Sequence, residues 1–386
     1  MMDERPLRIG IVCYPSVGGS GILASGLGEE LAARGHEVHF ISYERPVRLN
    51  PEQDRVYFHP VEINSYELFK YPDYTLPLSV KLAEVAQSFE LDVIHAHYAV
   101  PHATAAILAR EMLPANHRPV VVTTLHGTDT TLLGRDPGYA PAIRFALEAS
   151  DAITAVSEFL RQETHRLLGL AKEINVIHNF FDPRKAVHSR EDIRRELGVQ
   201  EGQQLILHLS NLRPIKRVDV MLNALAKLEQ RERFKVVILA GGSFGPYQGL
   251  VEQLGLSDTV VVRESVAVVE DYLQAADIGV FTSDSESFCL SILELASFAC
   301  PCVSTLVGGI PEVVEDNESA LLVPAGNSEA VAGALDRLLN DAELRQRLGT
   351  AAQTRASELF STAGVVPQYE ALYRRVLSTR QIVTFK

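Results

Sequence analysis

Alternation of strands and helices constrains the fold of this chain more than any other sequence feature. Short runs rich in Val and Ile are separated by amphipathic helical stretches such as LASGLGEELAARG (23–35) and PLSVKLAEVAQSF (77–89). This alternation occurs in both halves and indicates parallel sheets covered by helices on both faces, so we predict an α/β protein. The strand candidates are LRIGIVCY, HEVHFIS, VYFHPVEI, LDVIHAH, PVVVTTL, AITAVS and INVIHN, then QLILHLS, FKVVILAG, TVVVR, IGVFTS, PCVSTL and ALLVP.

Chain length agrees with two domains. A chain of 386 residues is long for one core and suits two α/β domains. The polar, charged segment 179–203 is predicted to be the crossover between them. We place an N-terminal domain at residues 1–182 and a C-terminal domain at residues 183–365.

Charge and hydropathy exclude several classes of partner. The chain has 36 Lys and Arg against 49 Asp and Glu, a net charge of −13, which argues against nucleic acid and anionic membranes. No apolar run approaches the roughly 20 residues of a membrane span, and MMDERPLRIG lacks the layout of a secretory leader. We therefore expect a cytoplasmic protein and leave a homo-oligomer open.

Two glutamates lie eight residues apart where a strand candidate gives way to a predicted helix. Glu286 and Glu294 fall in ESFCLSILE, after the strand-like ADIGVFTS (276–283). This spacing predicts Glu286 at the helix start and Glu294 about two turns further on. A carboxylate accepts paired hydrogen bonds, which suits the vicinal hydroxyls of a ribose or hexose. The alternative is a helix start whose acidic residues interact only with the helix dipole.

Three cations lie upstream, in a turn between a strand and a helix. They are Arg213, Lys216 and Arg217, in the segment ILHLSNLRPIKRVDVMLNAL (206–225). Such cations can bind a diphosphate without a metal, together with the free N–H groups of a helix start. Alone, the cluster is more often a solvated basic turn, but combined with the glutamate pair it indicates phosphate binding.

These residues resemble the donor site of the retaining glycosyltransferases of family 4. That family has the GT-B fold, two Rossmann-like domains with parallel sheets facing across a cleft. The N-terminal motifs resemble more narrowly the bacillithiol-pathway members that join N-acetylglucosamine to L-malate. They are YPSVGGSG (14–21), HAHYAVPHA (95–103), TTLHGTD (123–129) and IRFALEASDAITAVS (143–157), within a resemblance that spans residues 7–375.

The resemblance implies UDP-N-acetylglucosamine as donor, L-malate as acceptor, no cofactor, and a C-terminal helix at about 366–386 that packs back on the first domain. Arg213 and Lys216 would neutralise the leaving diphosphate, Glu286 would bind the hexose and Glu294 the ribose. The catalytic candidates are His126, Arg213, Lys216 and Glu286. The donor-binding candidates are Gly19, Ser210, Arg213, Lys216, Glu286, Ser287, Phe288, Cys289 and Glu294.

The acceptor-binding candidates that the resemblance implies are Ser20, Tyr98, Thr124 and Arg144. Arg144 lies in IRFAL, on what the pattern predicts to be an apolar helix face, where an unpaired guanidinium is costly. Malate offers two carboxylates that suit the planar fork of an arginine. The alternative is an ion pair between Arg144 and Glu148, one turn further on.

A nicotinamide cofactor is an alternative ligand for the glycine loop. Gly18, Gly19 and Gly21 follow the first strand, and Glu44 follows the second, as in a dinucleotide-binding fingerprint. The spacing GGSGILASG, however, differs from G-x-G-x-x-G. We therefore do not predict this cofactor.

A metal site is the alternative for the histidines of the first half, His95, His97, His102 and His126. No carboxylate or thiolate lies near His95 and His97 in sequence, and the chain has no Asp-x-Asp pair, so we predict no metal. His126 is expected to hydrogen-bond the hexose, as the resemblance implies. The alternative is a structural histidine at a strand end.

Departures from the family pattern leave some questions open. Family members usually carry glycine at the positions of Cys289 and Ala299, and often at that of Glu264, so the nucleotide-base preference is less constrained than diphosphate binding. Cys289 is expected to meet solvent when the cleft is open, whereas Cys300 and Cys302 are expected to be buried, reduced thiols. Three other functions are considered: transfer to another small acceptor such as an inositol phosphate, a UDP-N-acetylglucosamine epimerase, and a non-catalytic nucleotide-sugar sensor.

Overall fold

The computed structural model describes residues 5–15, 18–50, 52–63 and 73–384. The chain forms two compact units. The first contains Met1–Asn179 and Thr362–Lys386, and the second contains Phe180–Ser361.

Each unit is built on a parallel sheet. The described residues form a seven-stranded sheet of order β3-β2-β1-β4-β5-β6-β7 in the first unit and a six-stranded sheet of order β10-β9-β8-β11-β12-β13 in the second. The strands are β1 Arg8–Val12, β2 Glu37–Ser42, β3 Val56–Pro60, β4 Val93–His97, β5 Val120–Leu125, β6 Ala152–Ala155, β7 Ile174–Val176, β8 Gln204–Ser210, β9 Phe234–Ala240, β10 Val260–Glu264, β11 Ile278–Phe281, β12 Cys302–Thr305 and β13 Leu321–Val323. Each corresponds to one of the strand candidates, so the predicted α/β class with parallel sheets is confirmed.

Helices connect the strands. They are α1 Gly19–Ala33, α2 Thr75–Ser88, α3 Thr104–Met112, α4 Ala140–Ala149, α5 Glu158–Leu168, α6 Arg190–Glu196, α7 Val218–Ala226, α8 Gly245–Gln253, α9 Glu270–Ala275, α10 Leu290–Ala296, α11 Ile310–Val313, α12 Ser328–Asn340, α13 Ala342–Leu359 and α14 Thr362–Thr384. Strands β4, β5 and β11 are buried along their whole length because helices and loops cover both faces of the sheets.

The strand order determines where the motif residues meet. In the first sheet β1 lies between β2 and β4, and in the second β8 lies between β9 and β11. At such a point the loops that follow neighbouring strands leave the same edge in opposite directions, and this opens a crevice there. The motifs after β1, β4 and β5, and those after β8 and β11, therefore lie at the carboxyl edges of their sheets.

The sequence predicted that segment 179–203 only links the two halves, but the segment also packs and forms ion pairs. Phe180 and Phe181 are buried. Within α6, Arg190 and Arg194 both pair with the carboxylate of Asp277, which precedes β11. The polar composition predicted a crossover between the domains, but Arg190 and Arg194 form ion pairs inside the second unit.

The C-terminal helix α14 is part of the first unit. Its Tyr373 is fully buried, and Glu370 lies 2.8 Å from His36 and 3.3 Å from Arg34, next to α1. Among the helices in the described part of the chain, none is both long enough and apolar enough to cross a membrane.

Candidate active site

An ion pair joins the two motifs of the second unit. Lys216 Nζ donates to Glu286 Oε1 over 2.6 Å, and Ser283 Oγ donates to the same oxygen over 2.7 Å. Burial lowers the pKa of Lys216, but the Glu286 carboxylate more than compensates, so its pKa is raised and the group is an ammonium ion at neutral pH. The structure therefore brings together two residues that are 70 positions apart in sequence.

The three predicted phosphate-binding cations have different surroundings. Arg217 pairs with Asp219 and Asp284, each at 3.0 Å, and these carboxylates raise its pKa. Arg213 is exposed and has no acidic partner among the described residues. Arg217 is therefore committed to ion pairs within the second unit, while the guanidinium of Arg213 is available to an anion.

A buried histidine organises the turn that carries these cations. His208 Nδ1 donates to the carbonyl oxygen of Val280 over 2.8 Å, so its Nε2 accepts from Ser210 Oγ over 2.8 Å. Leu212 N in turn donates to Ser210 Oγ over 3.2 Å, and Leu212 has a left-handed φ of 53°. Burial lowers the pKa of His208 to about 4, so it stays neutral. Ser210 was predicted to bind the UDP-sugar, and in this structure its hydroxyl supports the turn.

Glu286 lies in a loop and not on a helix, because α10 begins only at Leu290. Its carbonyl oxygen accepts from Gly309 N over 2.9 Å. A Cβ at Gly308 would lie 1.9 Å from that oxygen, so only glycine permits this approach. Glu294 lies on α10 and is 3% exposed.

The residues between the two glutamates are more buried than expected. The ring of Phe288 packs edge-on against Phe360, with ring centroids 5.4 Å apart, so its side chain belongs to the core. Cys289 is 7% exposed in this structure, and burial, then Glu286, raises the pKa of its thiol. Ser287 is half-buried.

Cys289 and Ala299 both have left-handed backbones. Their φ angles are 72° and 54°, values that favour glycine. Both are among the positions where the resemblance implies a glycine. A cysteine in place of glycine at position 289 therefore strains the backbone at the start of α10.

In the first unit, Ser20, Tyr98 and His126 lie close together. Tyr98 Oη donates to Ser20 Oγ over 3.1 Å, and the Tyr98 and His126 rings have centroids 5.1 Å apart. Helix α1 begins at Gly19, which is exposed, and among the described residues neither a capping side chain nor an acidic residue satisfies its first turn. The start of α1 thus has backbone N–H groups for an anion.

The histidines form a neutral cluster. His97 Nδ1 lies 2.9 Å from His126 Nε2, and the two rings are stacked. Burial lowers the pKa of His95 and His126 to about 3 and that of His102 to about 4. Within the described residues, no three His, Cys, Asp or Glu side chains are arranged to bind a metal ion.

Thr124 is fully buried, and its Oγ1 lies 2.6 Å from both His95 Nε2 and Thr154 Oγ1. His95 Nδ1 contacts Tyr373 Oη on α14 at 2.7 Å. The side chain of Thr124 thus takes part in a chain of polar contacts from β5 to the C-terminal helix, and its acceptor role stays a prediction.

Arg144 is exposed on α4, so the cost expected for an unpaired guanidinium does not arise from burial here. It lines a shallow pocket with Pro141, Phe145 and Glu148. In the described part of the chain, no ion pair or hydrogen bond joins its guanidinium to Glu148, Ser20 or Tyr98. The ion pair with Glu148 is therefore absent, and Arg144 does not contact the other acceptor candidates in this structure.

Two family descriptions match the chain. Residues 17–185 match "Glycosyltransferase Family 4", and residues 189–355 match "Glycosyl transferases group 1". N-acetyl-alpha-D-glucosaminyl L-malate synthase of Bacillus anthracis is 42% identical over 375 residues, which cover 96% of this chain and 97% of that relative. The chain belongs to the family 4 glycosyltransferases.

Other proteins resemble this glycosyltransferase less closely. D-inositol 3-phosphate glycosyltransferase of Corynebacterium glutamicum is 33% identical over 203 residues, which cover 50% of this chain and 48% of that relative. Sucrose-phosphate synthase of Thermosynechococcus elongatus has a TM-score of 0.80 at 20% identity and covers 97% of this chain and 100% of its own. Anabaena HepE in complex with UDP-glucose has a TM-score of 0.76 at 20% identity, with the same coverage. The predicted GT-B fold is confirmed.

Sequence reasoning missed three polar residues of this glycosyltransferase. His208 supports the turn after β8, Ser283 holds Glu286, and Asp129 accepts backbone N–H groups in the first unit. Each lies within or beside a motif that was noticed. The partners Val280 of His208 and Ala99 of Asp129 are distant in sequence, and Ser283 meets Glu286 only because the loop between β11 and α10 is not helical.

Proposed function

We propose that this glycosyltransferase moves N-acetylglucosamine from UDP-N-acetylglucosamine to the hydroxyl of L-malate with retention at the anomeric carbon, the first step of bacillithiol biosynthesis. The observation that carries the proposal is the 42% identity to the Bacillus anthracis synthase over 96% of the chain. Both substrates are metabolites of the cytoplasm, and we place the reaction there.

The second unit would bind the donor. Arg213, which has no acidic partner among the described residues, and the ammonium of Lys216 would bind the diphosphate and neutralise the charge that develops as it leaves. Glu286 would accept hydrogen bonds from the hexose hydroxyls, and Glu294 from the ribose. Ser210 and the backbone of 287–289 would complete this part of the site.

Catalysis would need no metal and no side-chain base. Arg213 and Lys216 would supply the positive charge that a divalent ion supplies in a metal-dependent enzyme, and the chain has no Asp-x-Asp pair. In a retaining reaction on one face of the sugar, the leaving phosphate oxygen would take the proton of the malate hydroxyl. The side chains would then act by position and charge.

The first unit would bind the acceptor and the hexose. Ser20 and Tyr98 already share a hydrogen bond, and the start of α1 at Gly19 offers N–H groups to an anionic group of the substrates. The neutral imidazole of His126 would hydrogen-bond the hexose. Arg144 would bind a malate carboxylate, which requires its exposed guanidinium to leave the position seen here.

An inositol phosphate is the second candidate acceptor. The resemblance to D-inositol 3-phosphate glycosyltransferases favours it, but that resemblance covers half of the chain. An epimerase reaction has no such support.

Product analysis tests the stereochemistry and the metal independence. We expect UDP-N-acetylglucosamine and malate to give an α-linked product by NMR, at an unchanged rate in excess EDTA. A β-linked product, or activity that EDTA abolishes and magnesium restores, would contradict the proposed mechanism.

A further inference from the structure

Asp129 is a buried carboxylate to which the proposed function assigns no role. It ends the motif TTLHGTD and is 1% exposed. Its Oδ2 accepts a hydrogen bond from Ala99 N over 3.1 Å, and its Oδ1 accepts one from Gly127 N over 3.1 Å. One carboxylate thus links the loop that follows β4 to the loop that follows β5.

The two N–H groups belong to the peptides that follow Tyr98 and His126. Tyr98 has φ 87° and ψ 140°, a conformation that a non-glycine residue keeps only when its surroundings enforce it. Its own N–H donates to the carbonyl of Thr124 over 2.9 Å. The hydrogen bond from Ala99 to Asp129 holds the other side of the same residue.

We propose that Asp129 is a positioning residue, which keeps the Tyr98 phenol and the His126 imidazole at the separation that the sugar and the acceptor require. The proposal rests on the proposed function, in which these two side chains bind substrates. Their ring centroids lie 5.1 Å apart, although 28 residues separate them in the chain (126 − 98).

The chemistry at this point calls for a carboxylate. Both partners are N–H donors, and an ionised carboxylate offers only acceptors. An asparagine would offer one oxygen and one NH₂ group, which would face an N–H donor. Asp129→Asn therefore breaks one of the two links with little change in size.

Stability alone does not account for the residue. Burial raises the pKa of Asp129 to about 6, although hydrogen bonds from Ala99 N and Gly127 N oppose the shift. Because the folded pKa lies above the ordinary value of 3.8, ionisation costs folding stability as pH rises from about 4 to about 6. At neutral pH the charge is held at a cost to stability, and its benefit lies in the two links.

The titratable groups described around Asp129 do not change charge near pH 6, so a transition there can be assigned to Asp129. Burial, then Tyr43 and Asp129, raise the pKa of the Tyr14 phenol, which follows β1, so it stays neutral below pH 10. His102 and His126, on the two linked loops, stay neutral because burial lowers their pKa to about 4 and about 3. Helix α5 faces this turn with the hydroxyl of Thr164, which lies 3.2 Å from that of Thr130.

Kinetics of Asp129→Asn test the proposal. At pH 8 we expect kcat/KM for malate to fall at least about tenfold, with KM for the UDP-sugar within about twofold of the wild type. The ratio of wild type to variant should shrink as pH falls through about 6, because protonation removes an acceptor from the wild type. The ratio cancels the titration of malate itself.

Asp151→Asn is the matched control. Asp151 Oδ2 accepts from Val121 N over 2.7 Å and from Arg110 over 3.0 Å, at the opposite end of β5. The same substitution there should lower stability and leave kcat/KM unchanged. Equal kinetic losses in the two variants, or a ratio that is the same at pH 5.5 and pH 8, would overturn the proposal.

Amide hydrogen exchange gives a readout that does not depend on activity. Asp129→Asn should reduce the protection of residues 98–103 and 126–128, and so should lowering the pH of the wild type from 8 to 5, after correction for intrinsic rates. If the wild type does not use malate, the proposed function fails and exchange alone decides: unchanged protection would refute the link. If the variant does not fold, hydrogen exchange of the wild type at pH 8 and pH 5 tests the same link.

Discussion

Lys216 and Glu286 form the ion pair at the centre of the proposed donor site. Their side chains are 21% and 10% exposed, and the ion pair is 2.6 Å long. A bound diphosphate would bring a second anion to the same ammonium group, which frees Glu286 to accept hydrogen bonds from the sugar. The pair would thus hold both residues in place for the donor.

Lys216→Ala should therefore lower kcat by about two orders of magnitude or more, the scale on which one preorganised donor acts. The measurement is UDP release at saturating substrates, with circular dichroism to verify the fold. Lys227→Ala is the control, because Lys227 pairs with Glu329 on the surface of the same unit. Loss of less than threefold in the Lys216 variant would refute the donor assignment.

Arg144→Ala should raise KM for malate about tenfold or more, because a charge-assisted, bidentate contact with a carboxylate is lost. KM for the UDP-sugar and the melting temperature should change little, since the side chain is exposed. Arg144→Lys should restore only part of the affinity, because an ammonium lacks the planar fork. An unchanged KM for malate in the alanine variant would remove Arg144 from the acceptor site.

Cys289→Gly tests the strain at the start of α10. Relief of the left-handed backbone, worth about 1 kcal/mol or more, opposes the loss of a buried side chain and the greater freedom of glycine when unfolded. We expect the free energy of unfolding in urea to change by less than about 1 kcal/mol. Cys302→Gly removes the same side chain from β12, where no strain is relieved, and should cost more. Equal losses would contradict the strain.

At the residue scale, sequence reasoning predicted the chemistry of side chains better than their burial and their partners. Lys216 and Glu286 were assigned to one site, and the fold brings them into contact. Thr124 and Phe288 were assigned to ligands, and the sequence did not indicate that their side chains are buried. His208 was missed because its partner, Val280, lies 72 residues away. Burial and partners across strands are properties of the fold, which local patterns do not contain.

At the scale of elements, strands were predicted more reliably than the start of α10. Hydrophobic runs are local, so each strand candidate corresponds to a strand. The helix after β11 was expected to begin near Glu286 and begins at Leu290, because Cys289 adopts a left-handed conformation just before it. The intervening loop is what lets Glu286 reach Lys216.

The C-terminal helix α14 contributes a buried polar contact to the first unit. Tyr373→Phe removes the hydroxyl that lies 2.7 Å from His95 Nδ1 and leaves a buried ring nitrogen without its partner. We expect the free energy of unfolding to fall by about 1–3 kcal/mol, measured by urea denaturation. Tyr139→Phe, at an exposed position, should cost less than about 0.5 kcal/mol. An unchanged free energy of unfolding in Tyr373→Phe would show that this hydroxyl does not stabilise the unit.

At the scale of the molecule, the family membership and the charge distribution agree. The net charge of −13 disfavours anionic partners in general, so the cations that bind the substrates have to be local. In the proposed function, Arg213 and Lys216 in the second unit and the start of α1 in the first would be these local sites. An acidic chain would thus bind its anionic substrates at a few positions only.

Acceptor choice is the most direct test of the central claim. UDP release from UDP-N-acetylglucosamine is measured with L-malate, with D-inositol 3-phosphate and with no acceptor, at equal acceptor concentrations. The account predicts that malate raises the rate at least about a hundredfold over no acceptor, and that the inositol phosphate does not. A rate that is independent of malate, or a larger stimulation by the inositol phosphate, would contradict the proposed function.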